Sequence, residues 1–217
     1  MSWATGHIPL ILSETGTHLV LALLPVLFGL IISIPLGFMA ARWRVARAIL
    51  IPLGGVLYTI PSLALLVVLP VILGTQILDP VNLIVALTIY TIALLVRAVA
   101  DALAAVPENV VAAANAIGYR RFGRFVGVEL PLSVPVLVAG LRVAAVSNMS
   151  LVSVGALVGI GGLGELMTEG FQRYITAEVV TAIVVILVLA LIIDGLLVLF
   201  GRLLSPWAKA SKAGATA

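Results

Sequence analysis

Five long stretches without a charged residue constrain the fold of this chain more than any other feature. They are Leu19–Ala41, Ala48–Leu78, Pro80–Val96, Val143–Gly164 and Val179–Ile193. A helix needs roughly 20 apolar residues to cross about 30 Å of hydrocarbon, so most of these stretches are long enough to span a membrane. They lack the period-two alternation of membrane barrel strands. We therefore expect an all-α membrane protein.

The stretches predict about five transmembrane helices in a single permease-like domain that covers residues 1–217. The second stretch has prolines at 52, 61 and 70, so we interpret it as one irregular span with a loop attached. The fifth reaches full length only if it continues past Asp194 to Phe200. The predicted spans cover approximately residues 18–41, 49–73, 81–103, 134–158 and 178–202. Only 10% of the residues are charged, against about 25% in soluble domains.

The positions of arginine and lysine predict the orientation. An N-terminus on the outside places most of the cations in the cytoplasm, namely Arg42, Arg44, Arg47, Arg120, Arg121, Arg124, Arg202, Lys209 and Lys212. This asymmetry follows the positive-inside rule. The net positive charge of the chain therefore indicates its orientation in the membrane and not binding to nucleic acid. We expect a multi-pass protein of the bacterial plasma (inner) membrane with its C-terminus in the cytoplasm.

A basic segment at residues 107–131 separates the third and fourth predicted spans. Three arginines fall within residues 120–124. Pro107 suits a helix start, and Asn109–Ile117 is rich in alanine, a strong helix former. We expect a short helix on the cytoplasmic surface.

The remainder of this segment is expected to turn and re-enter the membrane. Gly118 should end or bend the first helix, and Tyr119–Val128 is expected to form a second short one. Pro131 and Pro135 should then restart the chain into the membrane. The segment is either a protrusion that a partner protein binds or an ordinary basic loop.

The same segment resembles the EAA loop of permease subunits of binding-protein-dependent ABC importers. The shared pattern is two alanines, a glycine four residues later, then nine residues, an aliphatic residue, any residue and Leu-Pro. In that family the segment is a coupling helix that sits in a groove of the ATPase subunit. Ala112 stands where the family usually carries a glutamate. The coupling residues implied by the resemblance are Ala112, Ala113, Ala114, Gly118, Tyr119, Arg120, Arg121, Phe122, Val128, Leu130 and Pro131.

Other stretches resemble one branch of these permeases, which are type I ABC importer subunits. "YTIPSLALLVVLPVILG" (58–74), "VELPLSVPVLVAGLRVAAV" (128–146) and "LVGIGGLGELMTEGF" (157–171) are similar to osmoprotectant permeases. This resemblance implies transport of a small compatible solute such as glycine betaine, carnitine, choline or proline betaine. Methionine importer permeases have a similar size and a similar GGLG segment, so import of methionine or another amino acid is the alternative.

The resemblance also implies partners. The chain lacks a GxxxxGK[ST] phosphate loop, so we expect no enzyme activity and place ATP and Mg²⁺ in a dimer of separate ATP-binding subunits. A periplasmic or lipid-anchored solute-binding protein should deliver the solute. Five spans need a second permease copy or paralogue to enclose a path, and the alanine at Ala112 favours a paralogue that keeps the glutamate. A stand-alone secondary transporter, a channel or a membrane scaffold are alternatives from other classes.

Polar residues within the predicted spans are candidates for the translocation path. They are Tyr58, Ser62, Ser147, Asn148 and Ser150. Polar groups in a span either line a water-filled path or hold helices together, and both interpretations stay open. Asp194 should pair with a residue on another helix or serve a proton relay, and Arg97 should pair with Asp101.

Two further features concern the outer side. His7 and His18 are isolated and no HxxE or CxxC spacing occurs, so we expect no metal site and interpret both histidines as interfacial. The glycines of "GALVGIGGLGE" (155–165) predict close helix approach and a tight turn before the amphipathic "ELMTEGFQRY". This outer segment is either a docking surface for the binding protein or a simple loop.

The orientation is testable by thiol labelling, because the chain contains no cysteine. A Gly123→Cys variant should resist a membrane-impermeant maleimide in intact cells and react after the membrane is permeabilised, since Arg120–Arg124 is expected in the cytoplasm. A Gly6→Cys variant serves as the outer control and should react in intact cells. Efficient labelling at position 123 in intact cells would contradict the orientation.

Overall fold

The computed structural model describes residues 2–207, which form helices joined by short connections. The helices are α1 (Ser2–Gly6), α2 (Ile8–Arg42), α3 (Arg44–Thr59), α4 (Ser62–Leu73), α5 (Pro80–Ala104), α6 (Glu108–Ala116), α7 (Arg121–Arg124), α8 (Leu130–Gly155), α9 (Leu163–Gln172) and α10 (Thr176–Leu204). A π-helical turn, Phe125–Glu129, joins α7 to α8, and a 3-10 turn, Ala156–Val158, follows α8. The predicted all-α fold is confirmed. Lys209 and Lys212, predicted to lie in the cytoplasm, fall outside the described residues.

Four helical stretches of the described chain are long and apolar enough to cross a membrane, and a bent pair makes up the fifth span. The four are Ile8–Arg42, Pro80–Ala104, Arg121–Val158 and Thr176–Leu204. The prediction of about five spans is thus confirmed. The first helix starts at Ile8 and not near residue 18. Its 35 residues extend about 52 Å at 1.5 Å per residue, which is longer than the hydrocarbon layer of about 30 Å requires.

The second predicted span is two helices, α3 and α4, bent by 103° at Ile60 and Pro61. Proline has no amide hydrogen and disfavours helical backbone at the preceding residue. Accordingly, Ile60 is extended, with φ −65° and ψ 128°. The hydroxyl of Tyr90 donates a hydrogen bond to the Ile60 carbonyl, which compensates for an intrahelical bond lost at the break.

α5 lies at the centre of the bundle and packs against α2, α3, α4 and α8. Its contact with α2 is close because small residues recur at every fourth position of α2. A methyl group at Gly29 would overlap the side chain of Thr91, and one at Gly37 would overlap Val99. Ser33, between the two glycines, is fully buried. Small residues on one helix face let two backbones approach and increase van der Waals contact.

The predicted pair of Arg97 with Asp101 is wrong. Asp101 instead accepts a hydrogen bond from Arg47 of α3 at 3.0 Å. α3 packs along α5 and brings Arg47 to this carboxylate. An exposed ion pair between residues four positions apart on one helix stabilises a protein by only about 0.3–0.5 kcal/mol. A cation on a neighbouring helix can therefore take the place of the cation on the same helix.

Arg142 of α8 and Asp194 of α10 form a two-pronged ion pair. Nε of Arg142 donates to Oδ1 of Asp194 at 2.6 Å and Nη2 donates to Oδ2 at 2.8 Å. Arg142 lies about 18 Å along α8 from its start at 1.5 Å per residue, which is well inside the spanning region. The expectation that Asp194 pairs with a residue on another helix is confirmed.

An unpaired charge at this depth should destabilise the protein more than the loss of both charges. We expect Asp194→Leu to lower the apparent Tm in detergent by several degrees, because it leaves the Arg142 guanidinium without a partner. The double variant Arg142→Leu/Asp194→Leu should recover most of the loss. Size-exclusion chromatography after heating measures both. A double variant no more stable than the single one would show that the unpaired charge is not the cause.

Candidate coupling interface and translocation path

The basic segment at residues 107–131 begins with α6, which follows Pro107 and ends in a Schellman motif. The amide of Tyr119 donates to the Ala114 carbonyl at 3.1 Å, and the amide of Gly118 donates to the Asn115 carbonyl at 3.0 Å. Gly118 has a φ of 89°, which glycine adopts without steric cost. The predicted short helix and the turn at Gly118 are both confirmed.

The chain after this turn differs from the prediction of a separate helix over residues 119–128. From Arg121 it is helical without interruption into the fourth span. The π turn explains how the helix continues past Pro131. In this turn the amide of Leu130 donates to the carbonyl of Phe125, five residues earlier. The wider turn accommodates one extra residue just before the proline. Pro131 and Pro135 therefore lie within the helix and do not restart it.

The turn region presents a protruding surface with both apolar and basic side chains. Ile117 is 76% exposed, Tyr119 46% and Phe122 78%. Arg120 and Arg121 are exposed beside them. Large apolar side chains exposed together mark a protein or membrane interaction site. Ala112, at the position of the family's glutamate, and Ala113 are exposed, whereas Ala114 is buried.

The Leu-Pro end of the segment anchors it to the bundle. Val128, Leu130 and Pro131 are half-buried, and Leu130 packs with Phe125 against α5 and α2. The predicted coupling residues therefore divide by position. Those around Gly118 face outward, whereas those at the Leu-Pro end hold the protrusion in place.

A buried carboxylate that the sequence analysis missed lies beneath this surface. Glu129, in the π turn, has a side chain only 3% exposed and accepts a hydrogen bond from Nε of Arg124 at 2.6 Å. It also pairs with Arg42 at the end of α2, and Arg124 in turn donates to the Asn115 side chain on α6. One feature of the sequence could have pointed to this residue, because Glu129 is the only acidic residue between positions 109 and 158.

The structure brings three of the five predicted path residues together. Tyr58, Ser147 and Asn148 line one small cavity beside Tyr90, which is too narrow to hold a water molecule. The ring of Tyr58 meets the ring of Tyr90 edge to face, with centroids 5.8 Å apart. Ser62, half-buried, and Ser150, exposed, do not line this cavity.

Asn148 and His18 tie neighbouring helices together. Asn148 Nδ2 donates to Thr91 Oγ1 at 3.0 Å and to the Ala22 carbonyl at 3.3 Å. Nε2 of His18 donates to the Met149 carbonyl at 3.0 Å. His18 is fully buried, so the expectation that it is interfacial is wrong. These contacts favour the interpretation of Asn148 as a link between helices.

The outer segment forms the predicted tight turn and then α9. Gly159 and Gly162 have φ values of 83° and 94°, and the amide of Gly162 donates to Glu14 Oε2 at 2.9 Å. Burial, together with the charges of Glu14 and Glu169, raises the pKa of Glu165 at the start of α9. The turn thus folds α9 back onto the first turns of α2 and gathers acidic groups there.

A capped protrusion at one end of a bundle of spans is the arrangement that the sequence resemblance implied. Residues 33–206 match the family described as the binding-protein-dependent transport system inner membrane component. The chain belongs to this family. Its members are multi-pass permease components of ABC transporters, which work with a separate ATPase subunit and a binding protein.

Several curated relatives are osmoprotectant permeases. The permease proteins OpuCB and OpuCD of the Bacillus subtilis glycine betaine/carnitine/choline transport system are 29% and 31% identical, each over 90% of this chain and 89% and 85% of their own lengths. The osmoprotectant import permease protein OsmY of Salmonella typhimurium is 34% identical over 87% of this chain and 80% of its length.

A solved structure confirms the type I importer fold. An inward-facing conformation of the MetNI methionine ABC transporter superposes with a TM-score of 0.79. The match covers 91% of this chain and 97% of that chain at 24% identity. At this identity the likeness shows the shared fold.

Gly118 should be the position of the protrusion most sensitive to substitution. We expect Gly118→Asp to leave the subunit folded and to reduce solute uptake about tenfold or more, as for a central interface residue. A side chain at this φ costs about 1–2 kcal/mol, and a Cβ there meets no atom of the chain itself within 4 Å. Radiolabelled solute uptake and pull-down of the ATPase subunit measure the two effects.

Gly74→Asp is the matched control for backbone strain. Gly74 also has a positive φ, 68°, and open space around it, but it lies near the opposite end of α5. It should therefore carry the same strain and keep most of the uptake. Uptake by Gly118→Asp equal to that of the control would show that the segment is only a basic loop.

Proposed function

We propose that this chain is the membrane-spanning subunit of an ATP-driven importer for a small compatible solute such as glycine betaine, carnitine, choline or proline betaine. The observation that carries this proposal is the likeness to osmoprotectant permeases at about 30% identity along nearly the whole chain. The N-terminus faces outward and the C-terminus the cytoplasm in this proposal, because the basic segment 120–124 then lies on the cytoplasmic side.

The protrusion around Gly118 docks with the ATPase subunit in this proposal. Ile117, Tyr119 and Phe122 supply apolar contacts, and Arg120 and Arg121 supply charge that steers docking and adds little affinity while exposed. ATP and Mg²⁺ are held by the partner. Closure of the ATPase dimer moves the protrusion, and the spans change from an outward-open to an inward-open arrangement.

A second permease subunit completes the path. The OpuCB and OpuCD relatives carry the name of one and the same transport system, which supports a pair of related but different permeases. We propose that this chain, with Ala112 in place of the usual glutamate, forms such a heterodimer. A solute-binding protein delivers the solute from outside, and α9 with its exposed Phe171 contributes to that docking face.

The break between α3 and α4 is the part of the path that we assign to this chain. Tyr58 is 48% exposed beside the break, and its neighbour Tyr90 is fixed by the bond to Ile60. Ser147 is half-buried on the same cavity. Aromatic rings attract quaternary ammonium groups through cation–π interaction, which fits the solutes of the relatives.

Import of methionine or another amino acid is the second candidate function. The structural likeness to the MetNI methionine transporter favours it, although that likeness concerns the fold. A stand-alone transporter or channel would not need the protrusion. Each alternative predicts a different result in one uptake assay.

Reconstituted with its ATPase, its partner permease and its binding protein, the chain should import radiolabelled glycine betaine only with ATP. We expect Tyr58→Ala to reduce this uptake about two- to fivefold, since a cation–π contact at an exposed site is worth about 0.5–1 kcal/mol, and to leave ATPase pull-down unchanged. Tyr58→Phe keeps the aromatic face and should retain most of the activity. Import of L-methionine without betaine would establish the second candidate, and uptake independent of ATP would exclude both.

A further inference from the structure

The buried carboxylate of Glu129 connects neighbouring helical segments to the end of α2, which is 87 positions away in sequence. Its side chain is 3% exposed, and it pairs with Arg42 and Arg124. Arg42 is the last residue of α2, the first span. Glu129 itself ends the π turn that leads into α8, the fourth span.

The second arm of the cluster reaches the coupling helix. Arg124 is 12% exposed at its side chain and also donates to the side chain of Asn115, whose carbonyl takes part in the Schellman motif of α6. A chain of polar contacts thus runs from Asn115 through Arg124 and Glu129 to Arg42. It starts on the segment proposed to contact the ATPase and ends on a spanning helix.

An aromatic layer supports the cluster on one side. The guanidinium of Arg42 lies over the ring of Phe38 at 5.5 Å from its centroid, and Phe38 packs against Phe125 with centroids 4.5 Å apart. These contacts limit the freedom of Arg42 and place its charge against Glu129. Charges attract each other more strongly where water is excluded, and this favours the pair of Arg124 with Glu129, whose side chains are 12% and 3% exposed.

We propose that Glu129 is a positioning residue that transmits movement of the coupling helix to the first and fourth spans. The proposal rests on the proposed function. A displacement of α6 moves Arg124 through Asn115, and Glu129 and Arg42 follow because separating them would leave a buried charge unpaired. π turns occur frequently at functional sites, and this one sets the position of the carboxylate between the two arginines.

The test distinguishes a loss of transmitted movement from a loss of ATPase docking and from a loss of folding. Glu129→Gln keeps the shape of the side chain and removes its charge. We expect the complete complex to assemble and to hydrolyse ATP, while the solute imported per ATP hydrolysed falls about fivefold or more, within the usual range of coupling between sites. Glu129→Asp should restore part of that ratio. The imported probe is glycine betaine or L-methionine, whichever the wild-type complex transports.

Two further variants keep the result interpretable. Asp101→Asn breaks the exposed pair with Arg47 at the same end of the bundle, where the side chains are 48% and 52% exposed, and should leave the ratio unchanged. If Glu129→Gln does not fold, Glu129→Gln/Arg42→Gln leaves fewer unpaired buried charges and should fold but remain uncoupled.

The outcomes distinguish this inference from the proposed function. A wild-type complex without ATP-driven uptake would refute the proposed function. With an active wild type, three results would each overturn the role of Glu129. In the first, the ratio of import to ATP hydrolysis in the Glu129 variants equals that of the wild type. In the second, uptake and hydrolysis fall by the same factor in these variants. In the third, Asp101→Asn lowers the ratio as much as Glu129→Gln does.

Discussion

The lack of water inside a bilayer is the constraint on which the rest of this structure depends. Every backbone amide and carbonyl at that depth must find a partner within the protein, and a helix satisfies them locally. Two of the places where proline interrupts this pattern show how the lost bonds are replaced. The hydroxyl of Tyr90 bonds the Ile60 carbonyl at the α3–α4 break, and a π turn carries the helix past Pro131.

Helix association follows from the same constraint, because apolar side chains gain little by leaving lipid for protein. Close approach and polar contacts take over that role. Gly29 and Gly37 let α2 lie directly against α5. Asn148 bonds groups of two other helices, and Arg142 and Asp194 neutralise each other between α8 and α10. The polar residues of the spans thus hold the bundle together around α5.

The protrusion at Gly118 is a structured part of this bundle. Its helix is capped, its Leu-Pro end is packed against α5 and α2, and Arg124 links it to a buried carboxylate. A partner that binds such a protrusion contacts a folded segment that is packed against the spanning helices. The family membership gives that arrangement its meaning, since the ATPase of these importers is a separate subunit that must act on the permease through contact.

The sequence by itself determined the helical class, the approximate spans and the position of the coupling helix with its turn at Gly118. Those features depend on local physics: the length of apolar runs and the freedom of glycine to adopt a positive φ. Tertiary structure alone decided which groups pair. Asp101 binds Arg47 and not its neighbour on the same helix, and His18 is buried. Glu129 meets a residue 87 positions away. Such pairings depend on which helices pack together, and a single sequence carries no local signal for that choice.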